Sequence, residues 1–239
     1  MPPHPPITRV SGLRRLWNAI KPPPPVESKR EDISKEEKLR RRRLLYSAAA
    51  AVTVGAVAWG VYQRMASAPL RAEAVFQEGM RLTGEGDFKG AADRFTEAVR
   101  IYPRLAVGYY QRGLAHKSMN DVDAAIEDFK QAIGEDSNLA PPHTELGVIY
   151  RQRGDPARAM SEFTEAINIS SNSDAFYQRG QVEEELGQHQ QAIQDYASAI
   201  HEQPDAPYVY RARATARRAI GDHEGAQEDL RTALQIEHH

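Results

Sequence analysis

The chain has 239 residues, 41% of them apolar and 27% charged, and no cysteine, which excludes disulfides, thiolate metal sites and a cysteine nucleophile. The net charge of −2 conceals three segments: residues 1–43 hold 12 basic and 5 acidic side chains (+7), residues 44–62 hold neither, and residues 63–239 hold 19 basic and 28 acidic (−9). The acidic C-terminal part excludes nucleic acid as its main partner, because phosphate binding needs clustered positive charge.

Residues 1–43 carry Pro2, Pro3, Pro5, Pro6 and the run Pro22 to Pro25, then the charge-dense stretch Glu27 to Arg43. Such composition buries too little apolar area to offset its ordering entropy, so this tail is expected to be mostly disordered. One exception lies at residues 7–21. Ile7, Val10, Leu13, Leu16, Trp17 and Ile20 recur at helical spacing among Arg9, Arg14, Arg15 and Lys21, with no acid. That pattern fits a surface-seeking amphipathic helix or a mitochondrial presequence. A few hydrophobes in a disordered basic tail is the alternative reading.

From Leu44 to Tyr62 run 19 uncharged residues, LLYSAAAAVTVGAVAWGVY. As a helix they would extend about 28 Å, close to the hydrocarbon thickness of a bilayer. Tyr46 near one end and Trp59 and Tyr62 near the other suit its two interfaces. Arg40 to Arg43 abut the N-terminal side, so the positive-inside rule leaves the N-terminus in the cytoplasm and translocates residues 63–239. Ala66-Ser67-Ala68 offers a signal-cleavage motif, but Pro69 follows it and the apolar run exceeds a usual signal core. An uncleaved signal anchor is therefore expected, with cleavage as the competing reading. Ala51 and Gly55 form a small-xxx-small pair through which two anchors could pack as a homodimer. Residues 63–71 read as a linker.

From residue 72 onward the chain repeats every 33–34 residues, in units 72–105, 106–139, 140–172, 173–206 and 207–239. A small residue recurs at Gly79, Gly113, Gly147, Gly180 and Ala214. Turn signals follow at Gly86-Asp87, Asn120-Asp121, Gly154-Asp155, Gly187-Gln188 and Gly221-Asp222. An alanine column stands at Ala91, Ala125, Ala159, Ala192 and Ala226, and a bulky one at Phe95, Phe129, Phe163, Tyr196 and Leu230. A second alanine column, Ala98, Ala132, Ala166, Ala199 and Ala233, closes the unit. Each unit therefore predicts two helices joined by a tight turn. Small residues let the helices approach, and the ring fills the gap against the next unit. No unit buries its apolar stripe alone, so neighbours must stack.

These columns resemble the tetratricopeptide repeat family. The resemblance implies an all-α, right-handed superhelical solenoid of five helix-turn-helix units, here preceded by a transmembrane helix and a disordered tail. Unit five departs most, with Ala214, Leu230 and Arg217 in columns usually held by glycine, an aromatic and a larger apolar residue. Unit three ends in Asn168-Ile169-Ser170-Ser171 rather than a proline. The polar second helix of unit five is expected to serve as the C-terminal cap.

The family resemblance further implies a concave groove, lined by first helices, that binds a protein or peptide. Unit one contributes Phe76, Gln77 and Met80, and unit two Tyr110, Gln111, Leu114 and Lys117. Thr144, Glu145, Val148 and Arg151 come from unit three, Tyr177, Gln178, Gln181 and Glu184 from unit four, and Arg211, Thr215 and Arg218 from unit five. The recurring Tyr-Gln pair combines a ring for a side chain with an amide for a peptide backbone. A merely solvated face is the alternative. Some members of the family clamp the C-terminal carboxylate of heat-shock chaperones with a Lys, Asn, Asn, Lys, Arg set. The matching positions here read Phe76, Met80, Gln111, Pro141 and Glu145, so no such clamp is expected.

No chemistry is evident beside the repeats. The histidines show no metal-ligand spacing, and Gly84, Gly86 and Gly90 sit in a helix-turn-helix rather than a phosphate loop. Glu183-Glu184-Glu185 reads as a solvated helix face. The chain is thus expected to be no enzyme and to need no cofactor or metal. It reads as a membrane-tethered scaffold acting in assembly of a membrane complex, with the repeats in a bacterial periplasm. A mitochondrial membrane protein acting in import or assembly, and a non-catalytic subunit of an enzyme or secretion complex, are the alternatives.

Overall fold

The computed structural model describes residues 27–238, and every regular element among them is a helix. The expectations for residues 1–26, including the helix over 7–21, lie outside the described residues. The chain divides into two units, Met1–Met65 and Ala66–His239.

In the first unit the chief element is α1 (Glu27–Ala66). Residues 27–43 are therefore helical where composition alone predicts disorder. The stretch contains no proline or glycine, and its Glu, Lys and Arg are strong helix formers. Arg41 pairs with Glu37 one turn earlier at 3.0 Å. The apolar run is exposed, from Leu44 at 68% to Trp59 at 63%. Its hydroxyls are turned inward, Ser47 Oγ donating to the Leu44 carbonyl and Thr53 Oγ1 to that of Ala50. Among the described residues this is the one helix long and apolar enough to cross a membrane.

The second unit holds ten helices: α2 (Ala68–Gly84), α3 (Phe88–Ile101), α4 (Ala106–Ser118), α5 (Val122–Glu135), α6 (Ala140–Gln152), α7 (Pro156–Ile169), α8 (Ser173–Glu185), α9 (His189–Glu202), α10 (Pro207–Ala219) and α11 (His223–Glu237). Residues 63–71, expected as a linker, are largely helical, with Pro69 in the first turn of α2, where its missing N–H costs no hydrogen bond.

The helices pack as five antiparallel pairs, and each pair packs on the next. First helices also meet first helices between units, α2 with α4, α6 with α8 and α8 with α10. The first helices therefore crowd on one side of the stack, which makes that side concave.

Each pair is built by the same local chemistry. The first helix ends in a left-handed residue, Gly86, Asn120, Gly154, Gly187 or Gly221. The next amide then donates back five residues, as from Asp87 to the Leu82 carbonyl at 3.0 Å and from Gln188 to that of Glu183 at 2.8 Å. In four pairs the following aspartate, Asp87, Asp121, Asp155 or Asp222, accepts from an amide in the first turn of the second helix. Gln188 does not.

Between the helices, Phe95, Phe129, Phe163 and Tyr196 are fully buried against the small-residue column. A β-carbon added at Gly147 would come within 2.5 Å of the Phe163 ring, and one at Gly180 within 2.8 Å of Tyr196. Ala214 carries that carbon in the last pair, where Leu230 replaces the ring.

Sequence reasoning missed one recurring device. Arg112, Arg179 and Arg213 each reach the aspartate sixteen residues later on the paired helix, Asp128, Asp195 and Asp229, at 2.6–2.7 Å. Arg112 and Arg179 also donate to Thr96 and Thr164 of the preceding pair, each at 3.2 Å. Each of these two guanidiniums therefore ties three helices together. In the third pair Leu146 is buried at the arginine position, and Glu162 instead meets His143 at 2.7 Å.

Candidate peptide-binding groove

On the concave side, aromatic residues expected to face a ligand are partly drawn into the core. Phe76 lies 5.4 Å from the Phe95 ring, Tyr110 5.9 Å from Phe129 and Tyr177 5.9 Å from Tyr196. Each is half-buried, and in Tyr110 and Tyr177 the hydroxyl end is the polar tip of an otherwise packed ring. Leu114 likewise packs against the central core cluster. Met80 and Gln77 are exposed on α2, where the Gln77 amide donates to Glu73 at 2.6 Å.

The polar residues of the groove form a network between units. Lys117 of α4 meets Glu145 of α6 at 2.5 Å. Arg151 of α6 reaches α8, pairing with Glu185 at 2.6 Å and donating to Gln181 at 2.5 Å and Gln178 at 3.2 Å. Gln181 in turn donates to the Tyr177 hydroxyl at 2.8 Å. These contacts fix the relative register of the first helices across three units. Gln111 is half-buried and Arg218 is exposed on α10. Arg211 departs from the expected placement: it turns to Glu237 of α11 at 2.5 Å, drawn by the carboxylate on the last helix.

The Glu183-Glu184-Glu185 run is not uniformly solvated as expected. Glu185 is exposed and pairs with Arg151, and Glu184 accepts from the buried Tyr196 hydroxyl at 2.9 Å. Glu183 is buried beside Asp195. Burial and that neighbouring charge push its carboxyl up to about 7, although Arg179 opposes the shift.

One recess of about 460 Å³ opens among units two, three and four. Tyr110 of α4, Ala140, Pro141, Thr144 and Glu145 of α6 and Asp174 of α8 line it, with Asn138, Leu139, Ser170 and Asn172 from the bends between pairs. Of the expected groove residues it gathers Tyr110, Thr144 and Glu145. Burial, then the charges of Glu145 and Asp174, push the Tyr110 hydroxyl up to about 12. Among the described residues no three His, Asp or Glu side chains converge to hold a metal ion.

Residues 106–139 and 140–173 match one family of tetratricopeptide repeats, and residues 174–206 match a second. Residues 106–206 are tetratricopeptide repeats. No curated protein matches the chain. Among solved structures, the crystal structure of MamA is 24% identical over 67% of this chain and 94% of that one, with a TM-score of 0.60. The Pseudomonas aeruginosa protein pilF is 18% identical over 69% and 76%, with a TM-score of 0.64. YrrB, described as a TPR protein with an unusual peptide-binding site, is 17% identical over 68% and 84%, with a TM-score of 0.55. At these identities what is shared is the tetratricopeptide fold. The two flanking pairs, α2–α3 and α10–α11, continue the same turn and packing geometry beyond the matched residues.

Proposed function

We propose that the chain is a membrane-tethered tetratricopeptide scaffold whose concave face holds an extended segment of a partner protein. The observation that carries the binding half is the recess shared by units two, three and four. It is open, of side-chain dimensions, and lined by one ring, one buried hydroxyl and several amides and carboxylates. The peptide-binding site named for YrrB supports the same use of the fold. The tether rests on α1, whose exposed apolar run has inward-turned hydroxyls and is preceded by Arg40 to Arg43. On this reading the N-terminus is cytoplasmic and the repeats lie across the membrane, a bacterial periplasm being the simplest setting. Anchoring raises the effective concentration of membrane-bound partners, so modest groove affinity suffices for complex assembly.

A photo-crosslinker placed at Thr144, within the recess, tests the binding half in the source membranes. It should trap a discrete protein adduct that a crosslinker at Gln131, exposed on a second helix, does not. Equal labelling from both positions, or none from Thr144, would remove this reading.

A further inference from the structure

The recess holds two carboxylates, and they differ in what they face. Glu145 is met by Lys117 at 2.5 Å. Asp174, exposed in the first turn of α8, pairs with no cation among the described residues, and its side chain receives only the Gln178 amide at 3.3 Å. Its charge is nevertheless felt by rings from three units, because it helps push up the hydroxyls of Tyr110, Tyr177 and Tyr208 after burial has done so. The repeat sets this residue apart from its neighbours: the equivalent positions on the adjoining first helices are Val107, Pro141 and Tyr208.

The Asn172 side chain of the recess is already spoken for. Asn172 accepts from the Ala175 amide at 2.8 Å and donates to the Ser170 carbonyl at 3.2 Å. The recess therefore presents one uncompensated anion beside the half-buried ring of Tyr110. A carboxylate ligand would be repelled, and an apolar one would strip water from Asp174 without replacing it. A divalent ion would find a single available carboxylate. A primary ammonium or guanidinium on an aliphatic stem matches both walls, since the charge meets the carboxylate while the methylenes lie along the ring.

We infer that this recess is a specificity pocket for a lysine or arginine side chain of the bound partner segment, with Asp174 as its counter-ion and Tyr110 as the wall for its stem. The inference rests on the groove reading and deepens it.

The test uses the full chain in non-ionic detergent, panned against random octapeptides that are acetylated and amidated, so that a basic side chain is the only cation. Captured peptides should be enriched in Lys or Arg at one position. For a peptide so selected, D174N should weaken binding about tenfold, the size of one charge-assisted hydrogen bond. Acetylating the peptide's lysine should do the same, and the loss should shrink at high salt. D123N, on the exposed Asp123 of α5, should change nothing. Asp174→Ser, which keeps a residue suited to a helix start, replaces D174N if that variant misfolds. Peptides captured without basic enrichment, or enrichment that survives both Asp174 variants, would overturn the pocket and leave the groove standing. Capture of no peptide at all would overturn both.

Discussion

Arg112 and Asp128 lie sixteen residues apart on paired helices and meet through two guanidinium nitrogens, at 2.6 Å from Nη2 and 3.0 Å from Nε. The aspartate is 7% exposed, so this is a desolvated, forked ion pair rather than a surface contact. The third pair shows what the fold accepts in its place, because Leu146 fills the arginine position and is itself buried.

Breaking one side of that pair should be costly and replacing both sides mild. Arg112→Leu alone strands the Asp128 carboxylate and is expected to lower stability by about 3 kcal/mol. Adding Asp128→Leu should recover most of the loss. Urea unfolding followed by circular dichroism measures both variants, and a double variant no better than the single one contradicts this account.

Close approach at Gly147 gives a second prediction. Gly147→Ala forces its new carbon against Phe163 and should cost about 2 kcal/mol. Combining it with Phe163→Leu reproduces the Ala214 and Leu230 arrangement of the last pair and should be better tolerated than the additive sum of the two changes. Thermal midpoints of the single and double variants decide it.

Glu183 predicts a specific pH dependence. Its carboxyl rises from a usual value of 4.5 to about 7 on folding, so the folded chain holds a proton that the unfolded chain releases. The protonated form keeps its full stability below pH 4.5. Stability from this residue then falls as pH rises to about 7 and is level above that. Glu183→Gln should abolish that decline and be more stable than the parent at pH 8, by on the order of 2 kcal/mol. Denaturant midpoints at pH 5 and pH 8 provide the comparison, and an unchanged slope in the variant rules the assignment out.

The missing cap beside Glu183 predicts a dependence between two substitutions. Gln188→Asp restores the aspartate that caps the other second helices, worth about 1 kcal/mol. In the second and fifth pairs this cap aspartate lies 3.8 Å from His116 and 3.5 Å from Arg217, the residues equivalent to Glu183. The parent would set an acid against an acid there, so the full gain should be seen at pH 8 only in the Glu183→Gln background. An equal gain in both backgrounds refutes the coupling.

The tether yields a prediction independent of the groove. Val54→Arg places a charge in the middle of the exposed apolar run, where insertion costs about 3 kcal/mol. Carbonate extraction of membranes should release this variant and retain the parent, whereas full retention of the variant argues against α1 as the anchor.

The sequence by itself determined the period, the paired helices and the left-handed turn residues. All of these are local or recur in a fixed column, and a column with one physical demand shows itself through repetition. It also marked the apolar run, because nineteen consecutive uncharged residues need no partner to be recognised. The charge-dense stretch before it misled, since composition measures the lack of a core and not the helix propensity of Glu, Lys and Arg. Only the tertiary structure decided which charges meet. A separation of sixteen residues follows no helical face, and Arg112 finds Asp128 only once two helices lie antiparallel. The same holds for the recess. Asp174 looks like an ordinary first-turn acid in the chain, and it becomes the uncompensated charge of a site only where bends and helices from three units converge around Tyr110.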